Sequence, residues 1–219
     1  MKTVNKKLLA VAVAGALGMG SAVPAMAGDG LSANVAMTSN YIWRGVVQGS
    51  KENLVAIQGG FDYTKGALSV GTWGSSLGTG GTEIDLYGSY SFGPVTVGLI
   101  SYQYPAVSSS FSEANVGGDV GPVSLMASYQ LDGTNPYYVE ASYSTPIGKA
   151  SLDLHVGYGG SYVTTSGSNA LDYSIGVSGS AYGLDLAAVY SSSDADQTLS
   201  GPGAGTSAGQ FAVSASKSF

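Results

Sequence analysis

An all-β fold, a single up-and-down antiparallel transmembrane β-barrel of about twelve strands, is predicted by three features of this 219-residue chain. One is a cleavable export signal at the N-terminus. Another is a succession of segments of roughly ten residues, each alternating between apolar and polar side chains. The third is a closing segment, Phe211 to Phe219 (FAVSASKSF), whose final residue is aromatic. There Phe211, Val213, Ala215 and Phe219 share one face, with Lys217 among them, while Ala212, Ser214, Ser216 and Ser218 share the other. Successive side chains of a strand point to opposite sides, so one face is greasy and the other small and mostly polar.

The N-terminus reads as an address. Lys2, Lys6 and Lys7 give a positive start, and Leu8 to Gly18 (LLAVAVAGALG) is an apolar run too short to span a bilayer. Ala25-Met26-Ala27 then places small residues ahead of a cleavage site. Residues 1–27 are therefore read as signal and residues 28–219 as one barrel domain, exported through the periplasm to a bacterial outer membrane.

Charge and composition narrow the function classes. The chain has 8 Lys+Arg and 14 Asp+Glu, and loss of the three signal lysines leaves a mature charge of −9. Such acidity argues against nucleic-acid partners, which require basic patches, and fits a protein that meets cations. With no cysteine there is no disulfide framework and no thiolate metal site; no cofactor or metal centre is expected. Glu83 and Asp85 share a face but lack a second coordinating cluster. Past the signal no apolar stretch is long enough for a membrane helix, and the closed barrel is the other structure that satisfies its backbone in lipid.

The segments run in order as Leu31 to Trp43, Leu54 to Thr64, Ala67 to Leu77, Thr82 to Phe92, Val95 to Tyr104 and Phe111 to Val120. Then come Val123 to Leu131, Tyr137 to Thr145, Ala150 to Tyr162, Leu171 to Ala181, Leu184 to Ser193 and Phe211 to Phe219. Every second connection is short and holds Gly or Pro: Lys65-Gly66, Gly93-Pro94, Gly121-Pro122, Pro146 to Lys149 and Tyr182-Gly183. The others are longer, notably Arg44 to Asn53, Val163 to Ala170 and Asp194 to Gln210, although Gly78 to Gly81 blurs the rhythm. Short periplasmic turns opposite longer outer loops are the layout of outer-membrane barrels. A soluble β-sandwich would also alternate, but it needs neither that rhythm nor a terminal Phe.

If the apolar parity of each segment faces lipid, the other faces the lumen. That parity places Asp62, Glu83, Asp85, Glu113, Asp119, Glu140, Asp153, Asp172 and Asp185 inside, with His155 beside Asp153. No strand acid falls on the lipid face, where a charge costs up to about 4 kcal/mol at the midplane. Arg44, the only arginine, lies near the outer end of the first segment. Two segments fit less cleanly: Trp73 points inward, and the apolar set switches parity between Leu99 and Tyr102, which implies a bulge or a wrong register. Tyr41, Tyr63, Tyr104, Tyr129, Tyr143 and Tyr190 lie near segment ends, where aromatic girdles form, and Trp43 is assigned to the outer girdle.

Thr38 to Gln48 (TSNYIWRGVVQ), with Val55 to Tyr63 (VAIQGGFDY) after it, resembles the opening of a proteobacterial family, Gcw_chp or the TorF-type porins. Ser39, Tyr41, Arg44 and Gly45 match its Ser-x-Tyr-x-x-Arg-Gly pattern. The resemblance covers Leu31 to Phe219, and the first two segments carry it specifically. It implies an outer-membrane barrel with porin character and largely unassigned function, and brings no catalytic residues. Arg44 and Gly45 then form either a first surface turn, with Arg44 pairing a lumen acid, or a gating or ligand element.

Passive diffusion of small solutes, with a cation preference set by the inward acids and with Arg44 counted among the lumen residues, is the expected function; the chain is not expected to be an enzyme. A lipid hydrolase using His155, the only histidine, is an alternative, though no Gly-x-Ser-x-Gly elbow is present. Another is a closed barrel whose outer loops bind a partner. Expected partners are outer-membrane lipids, small solutes or ions, and the barrel-insertion machinery through Phe219.

Overall fold

A computed structural model describes residues 29–48, 55–78, 81–132, 137–160, 169–194 and 209–219. The signal and the central parts of the long outer connections lie outside the described residues. Among the described residues fourteen strands follow in chain order: β1 (Gly30–Thr38), β2 (Ile42–Trp43), β3 (Val46–Val47), β4 (Ala56–Lys65), β5 (Leu68–Ser76), β6 (Thr82–Phe92) and β7 (Val95–Tyr104). The remainder are β8 (Ser109–Val120), β9 (Val123–Gln130), β10 (Tyr137–Ile147), β11 (Ala150–Gly160), β12 (Asn169–Ala181), β13 (Leu184–Ser193) and β14 (Gln210–Ser218). Twelve of these, all but β2 and β3, close into one antiparallel barrel in which each strand pairs with its neighbour in the chain and β1 pairs with β14.

Alternation explains why these segments close. In β12, Leu171, Tyr173, Ile175 and Val177 are exposed while Asp172, Ser174 and Ser178 are buried. In β6, Ile84 and Leu86 face out and Glu83 and Asp85 face in. The outward band is apolar because lipid, not water, is its solvent. Turn chemistry fixes the registers: Gly93 and Gly121 take positive φ (65° and 63°) ahead of Pro94 and Pro122. A glycine at the first position of a two-residue loop matches the strand twist. At the seam the Phe219 N–H donates to the Ala33 carbonyl (2.9 Å) and the Ala33 N–H returns the bond (3.2 Å).

Several boundaries differ from the expected ones. Pro146 lies inside β10, so the turn there shrinks to Gly148-Lys149. The parity switch in β7 is neither a bulge nor a slip, because pairing runs one-to-one from Val95 to Gln103 against β6 and from Val95 to Tyr104 against β8. Ile100 and Tyr102 are buried in the lumen instead, below something that covers them. That cover is the largest correction. The first strand stops at Thr38, and residues 39–48 fold back into the barrel as the β2–β3 hairpin.

The hairpin follows from its sequence. Ile42-Trp43 and Val46-Val47 are apolar pairs flanking Arg44-Gly45, both at positive φ (48° and 77°), the two-residue turn that suits hairpin twist. The Gln48 N–H donates to the Tyr41 carbonyl at 2.6 Å and continues the ladder. The approach to it is pinned to β14: the Ser39 N–H donates to the Val213 carbonyl, the Val213 N–H donates to Ser39 Oγ, and Asn40 Nδ2 donates to the Phe211 carbonyl. Tyr41, Ile42, Val46 and Val47 are all buried, Val46 to 1% exposure. Twelve tilted strands give a barrel about 24 Å across, and sheet layers pack about 10 Å apart, so a two-stranded ribbon nearly spans it.

Candidate functional site: the hairpin-filled lumen

The hairpin touches the wall on every side. Tyr41 packs with Ala56 and Leu77, and its ring meets Trp73 edge-on at 5.6 Å between centroids. Ile42 and Val47 pack on Ala212 of β14. At the tip, a Cβ on Gly45 would lie 2.6 Å from Ser193 Cβ and 2.7 Å from Asp172 Cβ. That position needs glycine both for its backbone angle and for close approach to β12 and β13.

Arg44 anchors the tip. Its Nη1 donates to Glu113 Oε1 at 2.8 Å and its Nη2 to Oε2 at 2.9 Å, a bidentate pair in which Glu113 is only 1% exposed. The guanidinium carbon sits 4.3 Å from the Trp43 ring centroid and 4.1 Å from that of Tyr138. Planar, weakly hydrated and always charged, a guanidinium suits a carboxylate fork between two aromatic faces. Tyr102 adds its hydroxyl to Glu113 Oε2 at 3.3 Å. A bulky residue at positive φ is unusual, and here that backbone carries the side chain to its partner. Arg44 is thus a lumen anchor pairing an acid, not part of an outer surface turn, and Trp43 lies beneath it rather than in a girdle.

The acids separate into two levels. Toward the long connections, Glu83 accepts from the Tyr104 hydroxyl (3.1 Å), and Asp172 accepts from Tyr138 (2.8 Å) and pairs with His155 Nε2 (3.0 Å). Asp85 stands on the lumen face directly between Trp73 of β5 and Tyr102 of β7. Glu140 is half-buried on β10, with one carboxylate oxygen lacking a hydrogen-bond partner. Toward the short turns, each acid meets a hydroxyl of the adjoining wall: Asp62 with Tyr87 (2.6 Å), Asp119 with Ser124 (2.6 Å), Asp153 with Ser144 and Ser178 (2.7 and 2.6 Å), and Asp185 with Ser180. Asp119 lies on the inward parity but is exposed at the turn-end rim, where Asp185 is half-exposed.

His155 lies at the junction of β10, β11 and β12, and Asp153 is not its partner. Its Nδ1 is 3.3 Å from Ser142 Oγ, its Nε2 3.0 Å from Asp172 Oδ1, and the Tyr138 hydroxyl is 3.2 Å from the same Nε2. The Ser142–His155–Asp172 connectivity is that of a nucleophile, base and orienting acid. Ser142, however, sits in mid-strand, paired on both sides in the ladder, where no turn offers spare N–H groups to an oxyanion.

The family model for a bacterial protein of unknown function, Gcw_chp, matches residues 22–219. The chain belongs to the Gcw_chp family. No curated protein sequence matches it. Among solved structures, this Gcw_chp barrel is similar to a membrane protein solved in work on in-meso crystallization, with TM-score 0.53 and 7% identity over 86% of this chain and 83% of that one. It is also similar to the NanC porin, with TM-score 0.51 and 10% identity over 85% of this chain and 98% of that one. At such identities the likeness is one of fold: a closed outer-membrane-type barrel.

Sequence parity missed the aromatic lining of this Gcw_chp lumen. Tyr41 and Tyr104 face into it, whereas Tyr63 and Tyr129 are exposed on the outside. Tyr102 stacks on Phe111 at 4.5 Å, and Trp43 meets Tyr102 edge-on at 5.9 Å. The signals were present: a parity break in β7, an inward Trp73, and apolar pairs around an Arg-Gly turn.

Proposed function

We propose that this protein is an outer-membrane channel for passive diffusion of small solutes, cation-preferring, with the residue 41–48 hairpin as its constriction. What supports this is the charge of the lumen. Every acid of the barrel strands lies on the inward parity, whereas Lys65 and Lys217 lie on the outward one. The single guanidinium inside is already matched by Glu113. Uncompensated carboxylates along a narrow water path attract cations and repel anions. The short turns then face the periplasm and the hairpin enters from outside.

The test is single-channel recording of the refolded mature chain in a planar bilayer under a KCl gradient. Discrete steps with a cation-selective reversal potential are expected. An anion-selective or unselective potential overturns the cation preference, and a well-folded barrel without steps overturns the channel. A second reading, acyl hydrolysis, is favoured by the Ser142–His155–Asp172 contacts alone. Release of fatty acid from phospholipid vesicles, abolished by His155→Ala, would support it, and activity unchanged by that substitution sinks it.

A further inference from the structure

Beside the Arg44 clamp lies a second grouping with the same ingredients but no cation from the protein. Glu83 and Asp85 are 2% and 5% exposed, on one face of β6. Glu83 takes the Tyr104 hydroxyl on Oε1 and lies close to the Tyr41 hydroxyl, whereas Asp85 Oδ1 is buried with no hydrogen-bond partner. Neither carboxylate makes an ion pair among the described residues. Aromatic rings wall the pair: Trp73 and Tyr102 stand on either side of Asp85, Tyr104 on Glu83, and Tyr41 of the hairpin lies edge-on to Trp73. A few residues away the lumen shows what suits such surroundings, because the Arg44 guanidinium is held by one carboxylate and two ring faces.

We propose that Glu83 and Asp85, with Tyr41, Trp73 and Tyr104, form a subsite for a small organic cation carrying an ammonium or guanidinium group. Buried carboxylates with orphaned oxygens are stabilised by a donor, a counter-charge or a proton taken up between them, and an organic cation supplies donor and counter-charge together. An ammonium offers three N–H donors and a guanidinium five, enough for two carboxylates and a phenol oxygen together. A guanidinium is weakly hydrated, and both guanidinium and alkylammonium ions gain from ring faces, which strongly hydrated metal ions do not match. A metal ion would also want a larger oxygen shell. The strand carbonyls here are spent in the ladder, and among the described residues no group of three or more acidic or histidine side chains could hold a metal. The subsite rests on the channel reading, since it supplies the solute class for that lumen.

The test is titration of the refolded full mature chain in detergent with butylammonium chloride and methylguanidinium chloride, following tryptophan emission. Sodium butyrate and KCl at matched ionic strength are the controls. Saturable change is expected with both organic cations and not with the controls, and Trp73→Phe should remove most of the signal. Glu83→Gln and Asp85→Asn should each raise the half-saturating concentration about tenfold or more. Tyr104→Phe, which keeps both carboxylates and so guards against misfolded acid variants, should raise it by about threefold. Asp132→Asn, at the exposed outer rim, controls for net charge and should leave it unchanged. Equal response to KCl, or affinity indifferent to Glu83, Asp85 and Tyr104, overturns the subsite. Binding in detergent needs no open path: binding without conductance steps sinks the channel and leaves the subsite, while steps without binding do the reverse.

Discussion

The two ends of the lumen use the same residue types for different ends. Near the short turns, Asp153 lies between Ser144 and Ser178, Asp119 meets Ser124 and Asp185 meets Ser180, each hydroxyl coming from the same or a neighbouring strand. These acids are partly or fully exposed, whereas Asp62, in the same group, is buried and accepts from the Tyr87 hydroxyl. Near the long connections the hairpin covers Glu83, Asp85, Glu113 and Asp172, which are all buried. There a carboxylate needs a cation or several donors, because removing it from water costs several kcal/mol unless the charge is matched. Glu113 has Arg44, Asp172 has His155 and Tyr138, and Glu83 with Asp85 has neither arginine nor histidine. Cover, rather than the number of acids, distinguishes the two ends of the lumen.

Removing Arg44 breaks that difference most completely. Arg44→Ala takes the guanidinium away from buried Glu113, and breaking a buried pair from one side costs about 3–5 kcal/mol. The hairpin is held otherwise by its apolar contacts and its hydrogen bonds to β14, while the barrel ladder does not depend on it. The expected result is a hairpin that leaves the lumen, several-fold higher single-channel conductance, and an intact barrel by circular dichroism. Arg44→Lys keeps the charge but not the fork, and should fall between. Unchanged conductance in Arg44→Ala would mean that the pair does not hold the constriction.

Gly45→Ala strikes the same element from its other side. The added methyl meets Ser193 Cβ and Asp172 Cβ at a backbone angle L side chains rarely adopt. Overpacking and backbone strain of this kind cost about 1–3 kcal/mol each. A partly displaced tip is expected, seen as conductance above wild type but below Arg44→Ala. Conductance equal to wild type would show that the tip has room the packing denies.

The strand pattern was legible because lipid leaves little freedom: apolar faces must be outside, and short Gly-Pro turns fix the register. Thr82–Phe92, Val95–Tyr104 and Leu184–Ser193 fall where alternation puts them. The hairpin was hidden for the opposite reason. Ile42, Trp43, Val46 and Val47 extend the apolar character of the first strand, and alternation alone does not distinguish a longer strand from a ribbon folded inside. The discriminating signal was the Arg-Gly pair between apolar doublets, a hairpin turn with a charged tip. Once the hairpin is inside, the inward Trp73 and the switch at Ile100 and Tyr102 need no further cause, since they line its bed. Parity placed the acids, but it carries no information about their partners. His155 sits beside Asp153 in the chain and pairs with Asp172 across the β11–β12 register.

Neutralising single acids sharpens the contrast on a smaller scale. Asp85→Asn removes a covered acid that no protein cation matches, and should move the reversal potential toward zero measurably under a KCl gradient at a pH where that acid is ionised. Asp185→Asn, half-exposed at the far rim, should move it less, because water and salt screen a charge there. Equal shifts would show that exposure does not set the weight of an acid in this lumen.

Asp153→Asn should have the least effect, for reasons that can be followed atom by atom. Ser144 and Ser178 each donate to one carboxylate oxygen. An asparagine keeps one acceptor oxygen and turns the other position into a donor, which a serine hydroxyl accepts by rotating its proton. The three-residue contact between β10, β11 and β12 therefore survives with its charge removed. A net change below about 1 kcal/mol is expected, the scale of one neutral hydrogen bond exchanged for another. Urea unfolding of the refolded barrel in lipid should shift little, and the reversal potential should shift less than in Asp85→Asn. A large loss of stability here would mean that the charge of Asp153 is matched by something other than the two serines, and that the turn end is as tightly coupled as the loop end.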